Sequence, residues 1–105
     1  MTLLAIPNFG DRISPRLDYA ETLQLITVEN KEVKRKETIK IIANNTLERI
    51  NLIISLKPDI VICDGVSSLV HEKFSENNIR VIPWIHGTVD NIVGMFINKL
   101  FDQKT

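Results

Sequence analysis

The 105-residue chain predicts an α/β domain built on a mixed five-stranded sheet with three helices. Three observations carry that expectation. Residues 3–6, 59–63 and 79–83 are short apolar runs, which suit strands covered on both faces. Residues 22–29 and 33–41 are rich in Ile, Val, Leu and Thr and flank Asn30-Lys31, the pattern of a hairpin around a tight turn. From Asn45 onward, apolar residues recur at helical spacing in three segments, each introduced by a capping side chain.

Taken in order, Leu3-Leu4-Ala5-Ile6 is a central strand ended by Pro7 and Gly10. Residues 8–15 hold Gly, Pro, Asn, Asp and Ser, the residues of turns, and predict a loop. In the second hairpin arm Lys34, Lys36, Thr38 and Lys40 share one face, and Arg35 and Glu37 interrupt the other, as in strands that protect an exposed sheet edge. Asn45 with Glu48 resembles a capping box opening a helix over 46–56, with Leu47, Ile50 and Ile54 inward and Lys57-Pro58 as its stop. Asp64-Gly65 turns the chain after the 59–63 strand, and Ser67 or Ser68 caps a second helix with Leu69, Val70 and Phe74 inward, ended by Asn77-Asn78. After the 79–83 strand, Thr88 caps a third helix with Val89, Ile92, Val93, Phe96 and Leu100 inward and Lys104 near its negative end. The 59–63 and 79–83 strands, joined through a helix, must be parallel. With the charged hairpin on one flank, the expected strand order is 3-2-1-4-5, counted along the chain.

Composition narrows the function. The chain is 44% hydrophobic and 25% charged, which excludes disordered, collagen-like and disulfide-stapled classes and predicts one domain over 1–105. Thirteen Lys and Arg balance thirteen Asp and Glu, so no net charge points to nucleic acid or an anionic membrane. One cysteine, Cys63, excludes an intrachain disulfide and suits a reducing compartment. With no basic, apolar leader pattern at residues 1–7 and no run approaching a membrane span, the expectation is a cytoplasmic protein.

Ligands of open α/β sheets gather beyond the carboxyl ends of parallel strands. Here three loops, 7–16, 63–68 and 83–88, are expected to meet at that edge, two of them opening helices whose N-termini attract anions. Cys63 is either a thiolate for a soft metal, with a pKa lowered by the neighbouring helix, or a small core side chain. His86 is either an imidazole ligand or an ordinary loop histidine. Arg12 and Arg16 either hold an anion or pair with Asp11 and Asp18. Trp84 is a stacking platform or a strand-end core aromatic, His71 reads as a surface or packing residue, and Asp64 reads chiefly as turn chemistry. No CxxC pair, HExxH, Walker loop or GxGxxG occurs, two histidines and one cysteine cannot close a structural zinc site, and the first strand lacks a nuclease carboxylate. An enzyme is not expected.

Ala5-Ile6-Pro7, Ile13-Ser14-Pro15, Ala20, the run Asp59-Ile60-Val61-Ile62-Cys63-Asp64-Gly65-Val66 and Gly87-Thr88-Val89 together resemble the dinitrogenase iron-molybdenum cofactor biosynthesis family, the NifX-like accessory domains. The resemblance spans nearly the whole chain. It implies a ribonuclease-H-like three-layer fold without nuclease activity, which binds or carries a metal-sulfur cluster of iron-molybdenum or iron-sulfur type. Cys63 and His86 are then the expected metal ligands, and Arg12, Arg16, Ser14, Asp64, Gly65, Gly87 and Thr88 complete the expected cofactor-binding set. Assembly or acceptor proteins are the implied partners of a monomer or weak homodimer. The chain departs from the commoner pattern at Arg16-Leu17, where many members show His-Phe, at residues 41–45, often Gly- or His-rich, and at residues 64–67, where glycines are fewer. The alternative is a protein-interaction module that keeps this fold without the cluster.

Overall fold

The computed structural model describes residues 1–99. It contains six strands, β1 (Thr2–Phe9), β2 (Arg12–Ile13), β3 (Thr22–Glu29), β4 (Glu32–Lys40), β5 (Ile60–Ile62) and β6 (Arg80–Ile82), and three α-helices, α1 (Thr46–Ser55), α2 (Ser68–Glu76) and α3 (Val89–Ile97). A 3₁₀ turn covers Leu17–Tyr19. Five strands run in the order β4-β3-β1-β5-β6, and β2 pairs with β1 off that path. The β1–β5 and β5–β6 pairs are parallel and the others antiparallel.

The sixth strand corrects the expected loop over 8–15. Strand β1 continues through Asn8 and Phe9, turns at Gly10 with φ +63°, and returns as β2 with Asn8 opposite Ile13. The turn-forming residues are there, but they make a short hairpin, which fixes the backbone beside the sheet edge. The Asn30-Lys31 turn joins β3 to β4 with φ of 53° and 64°, the left-handed pair that matches the twist of a two-residue hairpin. A register shift between Thr27 and Val28 adds a bulge, which together with the largely exposed β4 side chains discourages further edge pairing.

Alternation along β1 splits the interior between the two faces of the sheet. Ala5 joins Ile50, Ile53, Val61, Cys63, Val70 and Phe74 under α1 and α2. Leu4 and Ile6 join Ile26, Ile60, Ile62, Val89, Ile92 and Val93 under α3. Two expected core residues are corrected: Leu47 is 59% and Leu69 76% exposed. In α1 the buried stripe runs through Ile50 and Ile53, and in α2 through Val70 and Phe74, so each is narrower than the apolar spacing suggested. Asn45, Ser67 and Thr88 cap the three helices, and Lys57 and Asn78, both at positive φ, terminate α1 and α2. The inward placing of Leu100 and the position of Lys104 lie outside the described residues.

Candidate functional site

The three loops do converge, and main-chain hydrogen bonds stitch them together. Ile13 N–H donates to Gly87 O at 3.0 Å, Val89 N–H to Asp11 O at 2.9 Å, Leu17 N–H to Gly65 O at 3.0 Å and Gly65 N–H to Pro15 O at 2.9 Å. Isolated β-bridges pair Arg12 with Thr88 and Arg16 with Gly65. Gly65 is required by this approach: a Cβ there would lie 2.8 Å from Arg16 Cδ and 2.9 Å from Pro15 O. The loops after β5 and β6 are tied as well, by Trp84 N–H to Asp64 O and Ile85 N–H to Cys63 O, both at 3.0 Å.

His86 stands at this junction with its side chain 76% exposed, and its Nδ1 lies 2.8 Å from Asp64 Oδ2. The chain around it is constrained, with Trp84 at φ +64° on one side and Gly87 at φ +121° on the other. Trp84 itself is exposed, which settles the choice between platform and core aromatic against the core.

Cys63 is corrected. It has no accessible surface and packs in the core with Val61, Val70 and Phe74. Burial, with the charges of Asp64 and Asp18 adding to it, pushes the thiol from 9.0 up to about 12, the opposite of the lowering expected from a helix N-terminus. A protonated thiol without surface is not a ligand for a guest at the loop edge. Cys63 and His86 therefore do not form a common donor pair, and among the described residues no group of three His, Cys, Asp or Glu side chains could hold a metal ion.

The charged set is also more committed than the sequence suggested. Arg16 Nη2 pairs with Asp18 Oδ2 at 2.8 Å, and its guanidinium lies 5.8 Å from the Tyr19 ring centroid. Arg12 is exposed on β2. Ser14 is buried, and its Oγ donates to Arg16 O at 3.1 Å. Thr88 Oγ1 accepts from Asn91 N–H at 3.2 Å, so it and Asp11 O already occupy two of the N–H groups at the start of α3, and Asp90 adds negative charge there. Over the three loops, Arg12 and Arg16 are matched by Asp11 and Asp64, so the edge has no surplus of positive charge.

Arg49 and Phe9 were missed by sequence reasoning, and Asp18 was expected only as a partner for a loop arginine, a pairing the structure shows with Arg16. Asp18 is buried with Oδ1 unpartnered, and Arg49 from α1 donates to the main-chain oxygens of Asp18 and Ala20, anchoring the 3₁₀ turn. Phe9 is exposed and lines a cavity of about 320 Å³ with Asn8, Ser14, Tyr19 and Thr22. No local pattern marks Arg49 or the burial of Asp18, because the Arg49 contacts that anchor this turn span about 30 residues; the apolar Phe9 inside a turn-rich stretch was the available signal for that residue. A wider groove of about 480 Å³ runs between α2 and Trp84 and includes His71.

No model of a known protein family matches the chain. An uncharacterized protein of Methanocaldococcus jannaschii is 23% identical over 105 residues, 95% of this chain and 89% of that protein. Among solved structures, PH0822 superposes with a TM-score of 0.87 at 21% identity, covering 92% of this chain and 89% of the other. A "putative dinitrogenase" of M. jannaschii gives 0.77 at 22% identity, covering 94% and 91%. The apo form of the orange protein of Desulfovibrio gigas gives 0.78 at 14% identity, covering 94% and 89%. At these identities what the chain has in common with them is its fold, a mixed α/β sheet with three helices, preserved over nearly the full length of each.

Proposed function

We propose that the chain is a non-enzymatic carrier of an anionic metal-sulfur cluster, of iron-molybdenum cofactor or precursor type, in a ribonuclease-H-like, NifX-like domain of the cytoplasm. The observation that carries this reading is the exposed His86 imidazole, anchored where three stitched loops meet at the carboxyl edge of the parallel strands. The fold in common with a dinitrogenase-named structure and with the orange protein supports it. Cys63 has no part in it. The guest would keep its own sulfide shell and take one imidazole from the protein, an arrangement that favours exchange over permanent residence.

Anaerobic incubation with iron, molybdate and sulfide, followed by metal analysis and visible absorption, tests the reading. Wild type and Cys63→Ser should take up equal metal, and His86→Ala should lose most of it. Equal trace uptake by wild type and His86→Ala overturns the carrier.

A second reading, a protein-interaction module, is favoured by the balanced loop charge and by three exposed aromatics, Phe9, Tyr19 and Trp84. Metal-independent pull-down of a partner, lost in Trp84→Ala or Phe9→Ala, would support it; a partner retained only by metal-loaded protein would count against it.

A further inference from the structure

We infer that Asp64 is a positioning residue that fixes the tautomer and direction of the His86 ring, making Nε2 the atom that meets a transition metal. The inference deepens the carrier reading and rests on it for the metal as guest.

The argument begins with donor chemistry. A carboxylate accepts hydrogen bonds and has none to give, so the 2.8 Å contact between Asp64 Oδ2 and His86 Nδ1 places the ring proton on Nδ1. In the neutral ring the lone pair is then on Nε2. The two side chains differ in setting: Asp64 is only 15% exposed, whereas His86 is 76% exposed, so the carboxylate is the fixed member and the imidazole the one presented outward. The frame beneath them is rigid. Trp84 N–H bonds the main-chain oxygen of Asp64 itself, Ile85 N–H that of Cys63, and Gly87 O accepts from Ile13, which ties the segments carrying both side chains across three loops. Without Asp64, an imidazole this exposed would sample several rotamers and both tautomers.

The chemistry of the guest follows. A neutral imidazole nitrogen suits iron, copper, nickel or zinc rather than magnesium or calcium. Orientation by the Asp64 carboxylate removes the need to order the ring at binding. Asp64 therefore acts through His86 and need not touch the guest.

The test reads tautomer and metal separately. Long-range ¹H–¹⁵N correlation spectra of protein labelled at histidine nitrogen, recorded at pH 8, should show His86 protonated at Nδ1. In Asp64→Asn, whose amide can donate to Nδ1, the proton should move to Nε2. Titration with Zn²⁺ as probe, followed on the His86 ring signals, should show affinity weakened roughly tenfold or more in Asp64→Asn. Unchanged His71 signals and backbone spectra would exclude unfolding. A wild-type ring protonated at Nε2, or equal Zn²⁺ affinity in wild type and Asp64→Asn with folding intact, overturns the inference. If the tautomer and the Zn²⁺ response are as stated while cluster uptake is equal in wild type and His86→Ala, positioning by Asp64 stands and the carrier reading fails.

Discussion

The thiol of Cys63 should be nearly inert in the folded protein and ordinary in the unfolded one. Its pKa rises from 9.0 to about 12, first through burial and then through the charges of Asp64 and Asp18. At pH 8 the thiolate fraction is about one in ten at the lower value and about one in ten thousand at the higher, so alkylation of the native thiol is slowed roughly a thousandfold even before steric exclusion is counted. Timed iodoacetamide labelling read by mass spectrometry, in buffer and in guanidinium chloride at the same pH, measures the ratio. The same group makes stability depend on pH. Above 9.0 the unfolded chain releases the thiol proton while the folded chain retains it, so the unfolded state binds fewer protons and stability falls as pH rises. The contribution is fully present below 9.0 and is lost at about 1.4 kcal/mol per pH unit as pH climbs toward about 12. Denaturant melts of wild type and Cys63→Ala isolate it, because other alkaline titrations cancel in the difference. Native labelling within tenfold of the denatured rate, or a difference between the two proteins that is flat from pH 8 to 11, would refute the reasoning.

Two further predictions concern the backbone that holds the site. Gly65→Ala forces a Cβ to within 2.9 Å of Pro15 O, a main-chain atom that cannot swing aside, and should destabilise the protein by about 1–3 kcal/mol in chemical denaturation. A loss below about 0.5 kcal/mol, within the range of ordinary surface substitutions, would show that the loops yield easily. Lys31→Gly relieves a left-handed residue at φ 64° in the β3–β4 turn and should stabilise by about 0.5–1 kcal/mol, seen as a higher denaturation midpoint with an unchanged slope. A lower midpoint would mean that the Lys31 side chain contributes more than its backbone strain costs.

Local chemistry carried much of the fold into view before any coordinates. Asn45, Ser67 or Ser68, and Thr88 announced helix starts because capping needs only a side-chain oxygen three residues before an N–H, and the structure uses Asn45, Ser67 and Thr88. Asn30-Lys31 announced a turn for an equally local reason. The β2 hairpin was not legible, since turn residues specify a reversal but not whether the returning two residues pair. Leu47 and Leu69 misled because apolar spacing shows which positions can face inward, whereas the width of the buried stripe depends on what packs against it. Of the candidate site, the convergence of three loops followed from strand order, and His86 from its place in one of them.

The sequence by itself determined the three helices, their caps and the five main strands, because these depend on neighbours within about four residues and on a repeating pattern of side chains. Only the tertiary structure decided the fate of Cys63, the pairing of Asp64 with His86 and the burial of Asp18. Each depends on groups distant in the chain whose desolvation and hydrogen bonding exist only once the sheet and helices have closed around them. Cys63 shows the reason most plainly: the same thiol beside the same helix N-terminus would be activated at a surface, and one layer of packing from Val70 and Phe74 makes it inert.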